Sequence, residues 1–416
     1  MSEPAPRVVH ADAVIVGDGS EIRDGAVVVG ARGDVIEVGA AGEILPRHVG
    51  LDVVRVRGAL LPGVVNAHTH LELSALRGQV RGGAGFVPWV EGMLSVRAEQ
   101  DPESDTAAIE RAVDELVAFG TVAVGEVTNT LGAVHTLAQR GLVGCVFHEV
   151  FGVIEAQAES RVAKLPEVVE EKVGAWPTVD LSYAPTPHTL YTTHPEVVRR
   201  LLREAGERGV RASVHMAEHA AERRFLERGD GPVADWYRTR LRIPAEHVEP
   251  PGVSPIAFAD ALGALAPHVV CVHLTDARPD ELARVAERGA PVVFCPRSNL
   301  FIESRLPPLL AARAAGLFPA LGTDSLASNA SLDVLAEARA LADRFPTVPA
   351  RDLVRMATWE GARALGRSDV GRIARGSRPG LLAVDGDPGD DASAFVLRQV
   401  RAPRRWIVRR GAGAAA

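Results

Sequence analysis

Eight short apolar runs, separated by longer segments with helical spacing, limit what this chain can fold into more than any other feature. The runs are 60–66, 121–126, 143–150, 179–183, 211–215, 269–273, 290–295 and 319–323, with segments such as 195–208 and 279–288 between them. Alternating strands and helices imply a parallel sheet, and eight units suit an α/β fold of the closed (β/α)8 TIM-barrel type over 59–369. An open doubly wound sheet is the alternative, but no Gly-x-Gly-x-x-Gly opens a helix here. Both ends have another rhythm. Residues 7–58 alternate short apolar runs with Gly/Asp turns, as in an antiparallel sheet, and 370–410 look similar. We expect 1–58 and 370–410 to form one discontinuous β-sandwich domain, with a frayed Ala/Gly tail after Trp406.

The first run closes in His68-Thr-His70 behind a Pro-Gly turn. Side chains two apart on a strand point to one side, so both imidazoles can face one point. His215 ends the fifth run, His273 the sixth, and Asp324 follows the eighth. In a barrel these strand ends share one rim, so all five side chains converge. Three histidines and a carboxylate suit a divalent cation with room for water, Zn2+ first and Fe2+ also. A single His or Asp at a strand end is more often a cap or a hydrogen-bonded core residue, and His10, His48, His135, His148, His247 and His268 are read so. His215-Met-Ala-Glu218-His219 also matches the peptidase pattern His-x-x-Glu-His. That pattern needs a helix, whereas His215 closes a strand-like run, so His219 is expected to face solvent or stand behind the site.

Composition narrows the class. With a formal net charge of -7 the chain has no basic excess for nucleic acid. No apolar run is long enough to cross a bilayer, and the polar, acidic start lacks the form of a signal peptide. Cys145, Cys271 and Cys295 lie far apart in apolar runs, as buried free thiols of a reducing compartment do. A cytoplasmic protein acting on a small molecule is the expectation.

Pro62 to His70, His215-Met-Ala-Glu218, His273 and Gly322-Thr-Asp324-Ser resemble the amidohydrolase superfamily over nearly the whole chain. The resemblance implies that His68, His70, His215 and Asp324 bind metal, that Glu218 shuttles protons, and that His273 orients the attacking water. Many binuclear members bridge two metals with a lysine after the fourth strand. Here only Lys164 and Lys172 occur, both before it, so the resemblance is to the single-metal deaminase and chlorohydrolase branch. Ala184-Pro-Thr-Pro-His188-Thr-Leu-Tyr191 is similar to a segment of adenosine-type and S-adenosylhomocysteine deaminases, which implies that His188 touches the substrate heterocycle. Cys295 to Asn299 and Ser325 to Asn329 look like that group too.

His70-Leu-Glu72-Leu-Ser74 with Phe86 to Trp89 resembles the aminodeoxyfutalosine deaminases of menaquinone synthesis. The implied activity is hydrolytic deamination of an adenine-type nucleoside. The alternatives are S-adenosylhomocysteine, methylthioadenosine or adenosine as substrate, or removal of chloride or an amine from a triazine or pterin ring. Glu72, His188 and Ser328 are the candidate substrate contacts, though a cap or salt bridge also explains Glu72, and Phe86 to Trp89 also reads as a helix start with an anchoring aromatic. Arg297 and Arg97 are options for a substrate carboxylate, against the blander reading of surface ion pairs. Segment 74–106 is the expected lid, and members of this superfamily often pair as homodimers.

Overall fold

In a computed structural model that describes residues 5–399 and 404–410, strands form where Val- and Ile-rich runs alternate or stay wholly apolar. In chain order they are β1 (Arg7–Ile15), β2 (Glu21–Val29), β3 (Val35–Ala40), β4 (Asp52–Pro62), β5 (Val64–His70), β6 (Thr121–Thr128), β7 (Val143–Val150), β8 (Leu181–Pro187), β9 (Ala212–Met216), β10 (Val269–His273), β11 (Val292–Phe294), β12 (Ala320–Leu321), β13 (Asp324–Ser325), β14 (Leu381–Asp385) and β15 (Arg405–Val408). The polar start, residues 400–403 of the last run and the end of the Ala/Gly tail lie outside the described residues.

The two chain ends share one sheet, in the order β15-β14-β4-β1-β2-β3. Two details differ from expectation. The β1–β4 pair is parallel, because the chain returns through the helix Ala41–Arg47 and not through a hairpin. Among the described residues there is one sheet here, not two facing ones. It bends on itself: a Cβ on Gly33, beside β3, would meet Val408 Cγ1 of β15 at 3.2 Å. Val9, Val27, Val56, Leu381 and Val408 thereby enclose a small core from a single sheet.

The middle of the chain supplies two arcs of parallel strands, β5-β6-β7-β8 and β9-β10-β11-β12. Hydrogen bonds join them at both seams. At one, β13 pairs with β5 and Thr323 N donates to His68 O at 3.0 Å, while the Asn66 amide donates to Thr323 Oγ1 at 2.7 Å. At the other, His215 N donates to His188 O at 3.1 Å. Strand residues are buried on both faces, which is why these runs read as continuous apolar stretches. In β10, Val269 and Cys271 pack among helix residues, while Val270 and Val272 pack with Val65, Ala67 and Val293 of other strands. All three cysteines are free and buried.

Run and strand do not coincide everywhere. The first run divides at Gly63, where a Cβ would meet Val122 Cγ1 at 2.1 Å, so only glycine passes there. Residues 60–62 belong to the end sheet, and the parallel strands start at Val64, not at 59. The fourth strand runs from Leu181 to Pro187, later than 179–183, because Val179 is 98% exposed. The eighth run splits into β12 and β13, and Asp324 lies in the second piece.

Candidate active site

The ends of β5, β9, β10 and β13 bring the five expected side chains together. A Cβ on Gly322 would meet His68 Cβ at 2.7 Å, so the glycine lets the eighth strand close against that histidine. Nitrogens of His68, His70 and His215 lie within 4.8 Å of one another, with His70 Nε2 and His215 Nε2 3.3 Å apart. Asp324 turns Oδ1 toward them, 3.7 Å from His70 Nε2 and 3.9 Å from His68 Nε2. Its other oxygen, Oδ2, accepts from Ser298 Oγ at 2.5 Å and Ser328 Oγ at 3.3 Å. Donors about 2.1 Å from a tetrahedral Zn2+ stand roughly 3.4 Å apart, so these separations suit one ion.

A second observation favours a cation here. His68 is wholly buried, and neither ring nitrogen has a hydrogen-bond partner among the described residues. A buried polar atom left so is costly unless something fills the space before it. Burial pushes the pKa values of His68, His70 and His215 down, so they stay neutral and offer lone pairs. His215 Nδ1 faces the His188 carbonyl at 2.9 Å, which leaves Nε2 as the nitrogen turned to the cluster. Lys164 and Lys172 are exposed on the helix Glu155–Lys172 and supply no bridging group.

Glu218 and His273 stand beside this cluster, with Glu218 Oε1 3.5 Å from His273 Nε2. Burial pushes the Glu218 carboxyl well above its usual range, and the charges of Asp324 and Glu222 add to it. Burial lowers His273 to about 4, and Asn299 Nδ2 contacts its Nδ1 at 3.3 Å.

The other candidates divide. Ser328 reaches the site through Asp324. His188 lies beside His215, ring centroids 5.1 Å apart, with Phe151 packed on it at 4.4 Å. Glu72 is occupied: it accepts from Thr128 Oγ1, both nitrogens of Asn129, and Thr130 N and Oγ1, and it pairs with Arg97 at 3.3 Å. That is the cap and salt-bridge geometry. Arg297 is also engaged, by Ser331 Oγ at 3.0 Å and Glu337 at 3.7 Å.

His219 does not face solvent, which rules out the first of its two expected readings and leaves the second. It is 2% exposed, its Nδ1 caps the helix Ala220–Arg228, and its ring stacks on Phe86 at 4.1 Å. His215 is on β9 and His219 precedes the helix, so the two are not one helical face, as the peptidase pattern requires. Phe86 opens the helix Phe86–Arg97, and Trp89 is buried as an anchor.

Sequence reasoning missed Glu149, Glu126 and Ser298. Glu149 closes β7; its Oε1 is buried without a hydrogen bond, 3.5 Å from His215 Nδ1 and 3.9 Å from His188 Nε2. Glu126 accepts from Leu71 N, just after His70, at 3.2 Å. Both end or nearly end an apolar run, so the reasoning that found the histidines would have found these carboxylates.

Parallel strands carrying this cluster at their C-terminal ends define a hydrolase-type site of the kind the sequence resembled, and the amidohydrolase family model matches residues 59–408: the chain belongs to the amidohydrolase family. Among its relatives is the aminodeoxyfutalosine deaminase of Deinococcus radiodurans, 31% identical over 375 residues, or 86% of each chain. The 5-methylthioadenosine/S-adenosylhomocysteine deaminase of Nitratidesulfovibrio vulgaris is 28% identical, over 92% of this chain and 85% of that one. The fold is shared with the aminofutalosine deaminase of Helicobacter pylori, solved in complex with methylthio-coformycin, at a TM-score of 0.85 and 22% identity over 96% of this chain and 97% of that one.

Proposed function

We propose that this chain is a metal-dependent hydrolytic deaminase of adenine-type nucleosides, with 6-amino-6-deoxyfutalosine of menaquinone synthesis as its leading substrate. The observation that carries the reading is the placement of the buried Glu218 carboxyl, 3.5 Å from His273, beside a three-histidine and one-carboxylate cluster. The relatives' names support the leaving group. The two arcs are read as one closed (β/α)8 barrel over 64–369, with the end sheet as a second domain, in a cytoplasmic protein.

His68, His70, His215 and Asp324 would hold one divalent cation, Zn2+ or Fe2+. When bound, such an ion brings the pKa of a water to about 7. Glu218 gives its proton to the ring nitrogen next to the amino-bearing carbon, which makes that carbon electrophilic. Asp324 takes a proton from the attacking water, and Ser298 and Ser328 fix which oxygen does so. His273, kept neutral, steadies the attacking oxygen with a hydrogen bond. A carbon–oxygen bond forms, the carbon–nitrogen bond breaks, ammonia leaves with the proton Asp324 collected, and the remaining hydroxyl proton returns to Glu218 as the ring carbonyl forms. His188 and Ser328 are the proposed substrate contacts. Glu72 is assigned instead to holding residues 128–130, and segment 74–106 is the proposed lid.

The second reading, deamination of methylthioadenosine or S-adenosylhomocysteine, is favoured by the likeness to the N. vulgaris enzyme. Ammonia release from aminodeoxyfutalosine, adenosine, methylthioadenosine and S-adenosylhomocysteine, each at several concentrations, tests both. Preference for the first supports the leading reading. No ammonia from any of them, with metal bound, rejects nucleoside deamination and leaves triazine or pterin hydrolysis.

A further inference from the structure

Two adjacent residues on one helix reach both loops that carry the proton-handling pair. Glu222 is 1% exposed and uses both carboxylate oxygens: Oε1 accepts from Ala217 N at 3.0 Å, Oε2 from Glu218 N at 2.8 Å. The helix Ala220–Arg228 is already capped by His219, so capping does not require this carboxylate. Ala217 has φ of 47°, left-handed backbone that a residue with a Cβ holds only when its surroundings impose it. Arg223 grips the other loop. Its Nη2 donates to the Asp276 carbonyl at 2.8 Å, its Nε to the Asp276 carboxylate at 2.5 Å, and its fork to both oxygens of Glu281 at 3.0 and 2.8 Å. That loop is strained too, with φ of 76° at His273 and 50° at Leu274. The loops meet directly: Asp276 N donates to Ala217 O at 2.8 Å, and Leu274 N to Met216 O at 3.1 Å.

We propose that Glu222 and Arg223 are paired positioning residues for the reaction: one turn of helix clamps both loops and sets the 3.5 Å separation of Glu218 and His273. The assignment rests on the deaminase reading. Neither residue is in the His68–His70–His215 cluster, so the clamp acts on the proton transfer and leaves the cation site alone.

The test compares wild type with Glu222→Ala, Glu222→Gln and Arg223→Lys in metal content, kcat and KM, on whichever nucleoside the wild type deaminates best. Misplacing a catalytic group by an ångström costs about a hundredfold, so Glu222→Ala should lower kcat by about that much with KM nearly unchanged and the metal retained. Glu222→Gln keeps one acceptor oxygen and should recover about tenfold of the loss. Arg223→Lys keeps the charge without the fork, and its kcat should fall in the same pattern; it carries the test if Glu222→Ala does not fold. Unchanged kcat in the folded variants, or a loss matched by equal loss of metal, overturns the proposal. If the wild type deaminates no nucleoside, it is the deaminase reading that fails. The clamp is then judged from crystal structures of the variants, and a Glu218–His273 separation within about 0.5 Å of wild type refutes it.

Discussion

Glutamine at position 218 keeps the volume and hydrogen bonding of the native side chain and removes only its transferable proton. Glu218 is 6% exposed and its nearest basic partner is His273 at 3.5 Å, so the substitution opens no cavity. General acid–base catalysis is worth about 10²- to 10⁴-fold, roughly 3–5 kcal/mol of barrier. The geometry favours the upper half of that range. Asp324, the carboxyl turned toward the His68 and His70 imidazoles, faces them with one oxygen and two serine hydroxyls with the other, so it is not free to replace Glu218. We expect Glu218→Gln to lower kcat by about 10³-fold or more while one equivalent of metal stays bound, since its side chain is outside the three-histidine cluster. Ammonia release at saturating nucleoside, with elemental analysis of the same sample, measures both. A kcat within tenfold of wild type refutes the proton-transfer role. Loss of metal refutes the placement of Glu218 outside the ligand set.

Ser298→Ala removes a buried hydrogen bond to a carboxylate, worth about 2 kcal/mol, and should lower kcat/KM roughly thirtyfold. Ser328 keeps some hold on the same oxygen, so the double variant should lose more; an unchanged kcat/KM would exclude the serines from orienting Asp324. Arg404→Met strands Asp333, buried and otherwise matched by the guanidinium, and should cost about 3–5 kcal/mol in urea unfolding; a loss under 1 kcal/mol would contradict it. Burial raises the Asp369 pKa, but the Arg367 hydrogen bonds and the Arg367 and Arg410 charges outweigh it and hold it at about 2. Its folded value is below the unfolded value of about 3.9, so the stability it contributes is present above pH 4 and lost as pH falls toward 2. Unfolding free energies from pH 5 to 2 should show a shallower decline in Asp369→Asn, and identical slopes would refute the assignment.

Legibility in the sequence followed how strongly each feature depended on burial. Parallel strands covered on both faces must be apolar at nearly every position, so β6, β7 and β10 stand out from their neighbours. Their polar endings stand out by contrast, and that is how His215, His273 and Asp324 were found. The method fails where a strand is short or carries prolines. β8 holds Pro185 and Pro187, and its start was placed at exposed Val179. Closure of the end sheet on itself depends on contacts such as Gly33 with Val408, which no local period encodes.

A second limit concerns what a polar residue does once it is buried. Glu72 and Glu149 have the same chemistry and stand on the same rim, yet one has all its bonding capacity taken by residues 97 and 128–130 and the other keeps a bare oxygen beside two imidazoles. The motif around His70 pointed to the first as a substrate contact. Only the count of donors around each carboxylate separates them, because a saturated acceptor has nothing left to offer a ligand while a buried, unsatisfied one destabilises the fold until something binds it. The same count distinguishes His68, with both nitrogens open, from His219, with both engaged, although the sequence offers each as a histidine in a metal-binding pattern. Burial without partners therefore marks the His68 nitrogens and the Glu149 oxygen in this chain, and these can be read only after the strands have been brought together.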